Sequence, residues 1–181
     1  MKKLLYFGII ALLFACSADD QTITETQVNL VIDHYKTTSV LYGTALVATE
    51  EGVESRFKIP FISSFEFQPG NTYKVTATRR TVQNDGAATA TDSYRLISVQ
   101  TQDTIPPNTR FTVPLAKFVN GYGYVKFVVG NAELGYVLSN EIPLDCASFC
   151  GELQSLLVIE DPVTGEFEHG PDGNYVLKAL Y

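Results

Sequence analysis

Between Val53 and Phe61 the chain alternates: Val53, Ser55, Phe57, Ile59 and Phe61 fall on one face of an extended segment, and Glu54, Arg56 and Lys58 on the other. That is the period of a half-buried strand, not of a helix. Shorter alternating stretches recur at Val28–Lys36, with Leu30 and Ile32 facing one way, and at 73–82, 93–100, 111–115, 124–129 and 175–181. Thr, Val, Tyr and Phe are abundant, and no long Ala/Glu/Lys/Leu stretch with helical period occurs. The fold class expected is mainly β. Pro69-Gly70-Asn71 and Asn84-Asp85-Gly86 mark turns, because glycine and Asn/Asp tolerate the backbone angles that tight turns require.

The strand pattern breaks at Asp103-Thr104-Ile105-Pro106-Pro107-Asn108, which divides the chain into two small antiparallel β units, barrel-like or sandwich-like, at 28–103 and 104–181. One segment departs from the β pattern. Asp145 is placed to cap a short helix over about 146–157, in which Phe149, Leu153, Leu156 and Leu157 share a face that plugs one end of a sheet.

Leu13-Phe14-Ala15-Cys16 closes a short apolar run that follows Lys2 and Lys3. This is the form of a bacterial lipoprotein signal, with residues 1–15 removed and Cys16 becoming the acylated first residue. The twelve residues from Leu4 to Ala15 are too few to cross a hydrocarbon core, which needs about 20. Ser17 after the cysteine argues against inner-membrane retention, so the expected address is the outer membrane, on its periplasmic leaflet or at the cell surface. Ser17-Ala18-Asp19-Asp20 resembles the acidic surface-export tags of Bacteroidetes-type lipoproteins, or is simply solvated linker. Residues 16–27 are polar and Thr-rich and are expected to form a flexible acidic tether.

The run Ile62-Ser63-Ser64-Phe65-Glu66-Phe67-Gln68-Pro69-Gly70-Asn71-Thr72-Tyr73 is flanked by Tyr35-Lys36-Thr37-Thr38 upstream and Tyr94-Arg95-Leu96 downstream. Over about residues 28–102 it resembles a bacterial lipoprotein family of unknown function, often associated with a heat-shock-linked lipoprotein domain. The resemblance implies an envelope or stress setting and no known chemistry. The chain departs from that pattern at Ser39, where members commonly carry cysteine, and at Arg56-Phe57, where a tryptophan is often found. Read without the family, Phe65 and Phe67 point to one side, Pro69-Gly70 reverses the chain and Tyr73 starts the returning strand.

Catalytic signatures are few. No Gly-x-Ser-x-Gly elbow or His-Glu-x-x-His pair occurs, and Gly121-Tyr122-Gly123 lacks its third glycine, Lys126 standing in that place. His34 and His169 have no metal-ligand neighbour at familiar spacing, so no metal and no cofactor is expected. Asp161, Glu166, Glu168 and Asp172, around Gly165, Gly170 and Gly173, read as turn residues or as a calcium site if their loops converge. Cys146 and Cys150 are expected to pair in an oxidising compartment; a redox site is the sharper alternative, but three residues intervene rather than two. Tyr122, Tyr124 and Lys126 share a strand face and form the candidate binding face, suited to a glycan or an envelope protein, unless a second sheet covers it.

Removing Lys2 and Lys3 from the 13 basic residues leaves 11 against 20 acidic ones, a formal net charge of −9 for the processed chain. Nucleic acid is excluded as a partner, and the membrane is reached through Cys16 alone. The expectation is an outer-membrane lipoprotein with a non-enzymatic binding or structural role in the envelope. The alternative is an envelope enzyme that uses carboxylates on loops.

Overall fold

The computed structural model describes residues 21–181, so Cys16 and the rest of the leader and acidic segment lie outside the described residues. Two mixed sheets and a single short helix make up the described chain, and neither sheet closes into a barrel. The first sheet contains β1 (Gln21–Ser39), β2 (Gly43–Glu50), β3 (Arg56–Ile59), β4 (Ile62–Ser63), β5 (Asn71–Asn84) and β6 (Thr91–Thr104), in the order β3-β2-β1-β5-β6-β4. The second contains β7 (Phe111–Val119), β8 (Gly123–Lys126), β9 (Val128–Asn131), β10 (Gly135–Leu138), β11 (Ile142–Asp145), β12 (Val163–His169) and β13 (Tyr175–Leu180), in the order β8-β7-β12-β13-β11-β10-β9. All pairings are antiparallel except β4 with β6 and β11 with β13. The chain passes from one sheet to the other between Thr104 and Phe111, across Pro106-Pro107.

The alternation in β1 is visible at Val28, Leu30 and Ile32, all buried, with Asn29 and Val31 facing out. A register shift between Ile32 and Lys36 then breaks the period, and His34 and Tyr35 are both buried in succession, as are Thr37 and Thr38. The reason is that this stretch has both faces covered. Tyr35 joins the core of the second sheet, as does Val47 of β2, while Leu30, Ile32, Leu46 and Ala48 belong to the core of the first.

Four expectations are corrected. The strand expected over Val53–Phe61 is only Arg56–Ile59; Ile59 is buried, but Val53 is 46% and Phe61 66% exposed. Gly52, at φ +82°, closes the β2–β3 hairpin beside Val53, and Pro60 has no N–H to continue the ladder. The tether expected to reach Gln27 stops earlier, because residues 21–27 pair one by one with β5, from Gln21 opposite Asn84 to Gln27 opposite Thr78. Their side chains are all exposed, so the ladder and the β-preference of Thr hold this stretch rather than burial. The expected strand 124–129 is two strands, broken at Phe127. That residue is buried, its N–H donates to Leu115 O, and its carbonyl accepts from Ser139 N. Finally, each sheet contains one parallel pairing where only antiparallel pairing was expected.

The expected helix is present as α1 (Cys150–Val158), led in by a 3-10 turn over Ala147–Phe149. Asp145 caps that turn, its Oδ1 accepting from Ala147 N at 2.9 Å, rather than α1 itself. Leu153 and Leu157 are buried and Phe149 and Leu156 half-buried against the second core, the face anticipated from their spacing.

Candidate functional site at the seam between the sheets

Polar groups gather where β1 crosses the second sheet. Tyr175 of β13, fully buried, places its hydroxyl against the Lys36 backbone: it accepts from Lys36 N at 2.8 Å and donates to Lys36 O at 3.1 Å. Thr38 Oγ1 donates to Pro114 O at 2.9 Å, and Ser139 Oγ to Gly43 O at 2.9 Å. The Lys36 ammonium and the Thr44 hydroxyl both donate to the Glu141 carboxylate. Burial works against the charge on Glu141, but the hydrogen bonds from Lys36 and Thr44, with the Lys36 charge, outweigh it and hold the carboxyl below its usual range.

Beside this network opens a cleft of about 380 Å³. Lys36, Glu141 and Asp172 give it polar edges, and Phe67, Pro69 and Pro143 give it apolar sides. The turn at Gln68–Gly70, stapled to β1 by Gly70 N donating to His34 O, carries one wall. The loop Pro171–Gly173 carries the other; Gly173 sits at φ +76°, where a side chain is strained, and a Cβ there would press on Pro69 Cγ at 3.2 Å.

A second cleft, of about 270 Å³, lies along the seam and is lined by Asp33, His34, Arg56, Arg110 and Glu166. Behind it His34 Nδ1 and His169 Nε2 are 2.9 Å apart, among the rings of Tyr35, Phe111 and Tyr175. Burial lowers the His34 pKa, against the pull of Asp33; burial and the neighbouring His34 lower that of His169 to about 4. Both shifts favour the uncharged rings at neutral pH, and His169 Nδ1 is buried without a partner among the described residues.

The residues singled out in the sequence sit elsewhere. Tyr122 lies in the β7–β8 turn, 65% exposed, whereas Tyr124 is half-buried, its hydroxyl donating to Asp161 O at 2.8 Å and its ring 5.4 Å from Phe118. Lys126 Nζ lies 5.8 Å from the centre of the Tyr124 ring. Tyr124 and Lys126 are thus partly engaged with the fold, and Phe118 joins Tyr122 as the exposed aromatic area. Cys146 and Cys150 form a disulfide at the entrance to α1, with Cα atoms 5.0 Å apart. Cys146 is buried and Cys150 half-exposed, so an attacking thiol would reach Cys150 first.

Of the four acidic residues read as turn or calcium-site residues, Glu166 and Glu168 stand instead within β12, paired with Arg110 at 2.7 Å and Lys178 at 3.0 Å, while Asp172 alone of the four reaches the larger cleft. No cluster of three His, Cys, Asp or Glu side chains suited to a metal occurs among the described residues. Sequence reasoning missed Lys36, Glu141, Tyr175 and the histidine pair, whose members are separated by 105 to 139 residues and meet only through the seam. No family model, no curated protein and no solved structure matches the chain.

Proposed function

We propose that this chain is an outer-membrane lipoprotein, held by acylated Cys16, with a non-enzymatic binding role in the cell envelope toward a glycan or an envelope protein. The lipobox and the polar residues after it support the anchor, and the resemblance of residues 28–102 to a lipoprotein family supports the setting. The observation that carries the binding role is the 380 Å³ cleft at the seam, where apolar walls and convergent charged groups from both sheets meet.

An envelope enzyme using carboxylates is the second reading, and one observation favours it: Glu141 and Asp172 line the same cleft. Acid–base work by such a pair needs one carboxyl kept protonated. Lys36 and Thr44 favour the ionised form of Glu141 and each occupies one of its two oxygens, so neither oxygen stands free for proton transfer, which weighs toward binding.

The test of the anchor is metabolic labelling with a clickable fatty acid, followed by detergent phase partition, of the wild type and Cys16→Ala. The wild type is expected to carry label and enter the detergent phase, and the variant to do neither; an unlabelled, water-soluble wild type overturns the anchor. Protease shaving of intact cells then separates surface from periplasmic exposure.

A further inference from the structure

We infer that the larger seam cleft binds a neutral saccharide, its C–H face against Phe67, Pro69 and Pro143 and its hydroxyls toward Lys36, Glu141 and Asp172. This rests on the binding role proposed above and names the ligand class.

Charge narrows the class from two directions. A processed chain of formal charge −9 repels polyanions at long range. Inside the cleft the Lys36 ammonium is neutralised by Glu141, and the remaining carboxylate, Asp172, opposes an anion at short range. What remains is a ligand that carries no negative charge.

Hydrogen-bond chemistry then selects hydroxyls. An ammonium only donates and an ionised carboxylate only accepts, whereas a hydroxyl does both. A ligand with several hydroxyls therefore satisfies Lys36 and the two carboxylates at once. A purely apolar ligand would strip water from Asp172 and return no hydrogen bond. Asp172 is the member with free capacity: among the described residues it has no ion-pair partner, and its backbone sits at φ 63°, ψ 16° on the lip of the cleft.

The apolar sides fit the other surface of a sugar ring. Proline carries no N–H, so Pro69 and Pro143 present C–H groups, and Phe67, half-buried against the first core, presents part of a ring. The groups are also set in advance. Lys36 and Glu141 hold each other with Thr44, and the Pro171–Gly173 loop is seated against Pro69, so little side-chain freedom is lost on binding. A volume of about 380 Å³ falls in the ~300–1,000 Å³ range of small-ligand sites. The smaller cleft is a weaker match, because its volume of about 270 Å³ falls below that range and Asp33, Arg56, Arg110 and Glu166 line it with charge.

The test is affinity electrophoresis of the intact mature protein in detergent, through gels cast with a glucan, a mannan, a xylan, a galactan or the polyanion alginate. Binding of soluble peptides of mixed sequence is measured by isothermal titration in parallel. Asp172→Asn keeps the turn, since Asn tolerates the left-handed conformation, and removes only the charge. Phe67→Ala removes the ring, with circular dichroism and thermal melting confirming that it folds. Retardation by at least one neutral polysaccharide is expected, weakened at least tenfold by Phe67→Ala and severalfold by Asp172→Asn, and unchanged by Val158→Ser on exposed α1.

No retardation in any neutral gel, retardation by alginate alone, or full retardation of both cleft variants overturns the inference. So does a loss that follows Tyr122→Ala instead, or peptide binding that Asp172→Asn abolishes; these two leave the binding role standing and move its site or its partner class. Failure of the anchor is read separately, in the Cys16→Ala labelling, and does not alter the gel result.

Discussion

The first sheet is built on long strands, β1 of 19 residues and β5 and β6 of 14 each, that run beyond the core they cover. The second sheet uses strands of four to nine residues, packed with α1 around fully buried Leu115, Leu138, Leu153 and Phe167, the disulfide stapling only the lead-in to α1. The first is held at its far end by hydrogen bonds with little burial, and the second mainly by side-chain packing. Stability within one molecule is then uneven: segments with little burial open locally, while segments in the core open only with the whole. The seam decides which behaviour dominates, because Tyr35 and Val47 of the first sheet pack in the core of the second.

The largest effect is expected from Phe167→Ala, which empties a fully buried site beside Phe111 and Tyr175 and costs about 3–5 kcal/mol. Urea unfolding followed by a probe in each sheet checks it. Both probes are expected to move to the same lower midpoint, since the cores share residues across the seam. Two separate midpoints would show that the sheets fold independently and would break the comparison at its root.

Tyr175→Phe asks the same question with one oxygen. It strips the partner from both Lys36 N and Lys36 O, at about 1–3 kcal/mol for buried groups left unpaired. The loss is expected without any change in the second core, so amide exchange should quicken at Lys36 while Val113 and Leu138 remain protected. Unchanged exchange at Lys36 would mean that the two hydrogen bonds do not hold the sheets together.

What was legible in the sequence follows from the same contrast. Val28, Leu30 and Ile32 alternate because one face of β1 there meets the core and the other meets water. Residues 44–48 of β2 were not legible, because Thr44, Ala45, Leu46, Val47 and Ala48 are all buried, covered on both faces, and a strand so covered carries no alternation. Residues 21–27 were misread for the opposite reason: exposed on both faces, they carry no apolar period, only Thr and a partner strand more than 50 residues away. The turn at Pro69-Gly70, by contrast, is written locally, with Gly70 at φ +83°, and was readable. The candidate site had no local signature, since Lys36 meets Glu141 and His34 meets His169 only after both sheets have formed.

Acid should act on the seam before it acts on either sheet. His169 takes up a proton at about 4 in the folded protein against 6.5 when unfolded, burial being the main cause, and His34 is lowered in the same direction. Between those values the unfolded chain binds more protons, so the contribution of this histidine is constant above about pH 6.5 and lowers stability as pH drops toward 4. Asp33 and Arg56 face His34 from β1 and β3, and Arg110 and Glu166 share its cleft, so the opposing charges around the pair are balanced. Glu141 acts in a lower window: its stabilisation is present above its unfolded value of 4.5 and is lost as pH falls through its depressed folded value. Melting temperatures from pH 7.5 to 4.5 are expected to decline for the wild type and to decline less for His169→Phe. An equal decline in both would take His169 out of the acid response and leave it to His34, since Glu141 acts below this window.

The smallest effect belongs to the far end of the first sheet. Ile23 pairs with Val82 and is 48% exposed, so Ile23→Ala is expected to change global stability by less than about 0.5 kcal/mol. Leu30→Ala, seven residues along the same strand and buried in the first core, is expected to cost about 2–5 kcal/mol. The pair measures how far cooperativity travels along one ladder. If Ile23→Ala quickens amide exchange at Gln21–Gln27 and leaves Ile32 protected, the paired extension opens by itself, and β1 is two mechanical elements in one strand. If exchange at Ile32 rises with it, the ladder transmits the loss into the core, and the first sheet is held by its length as much as by its buried side chains.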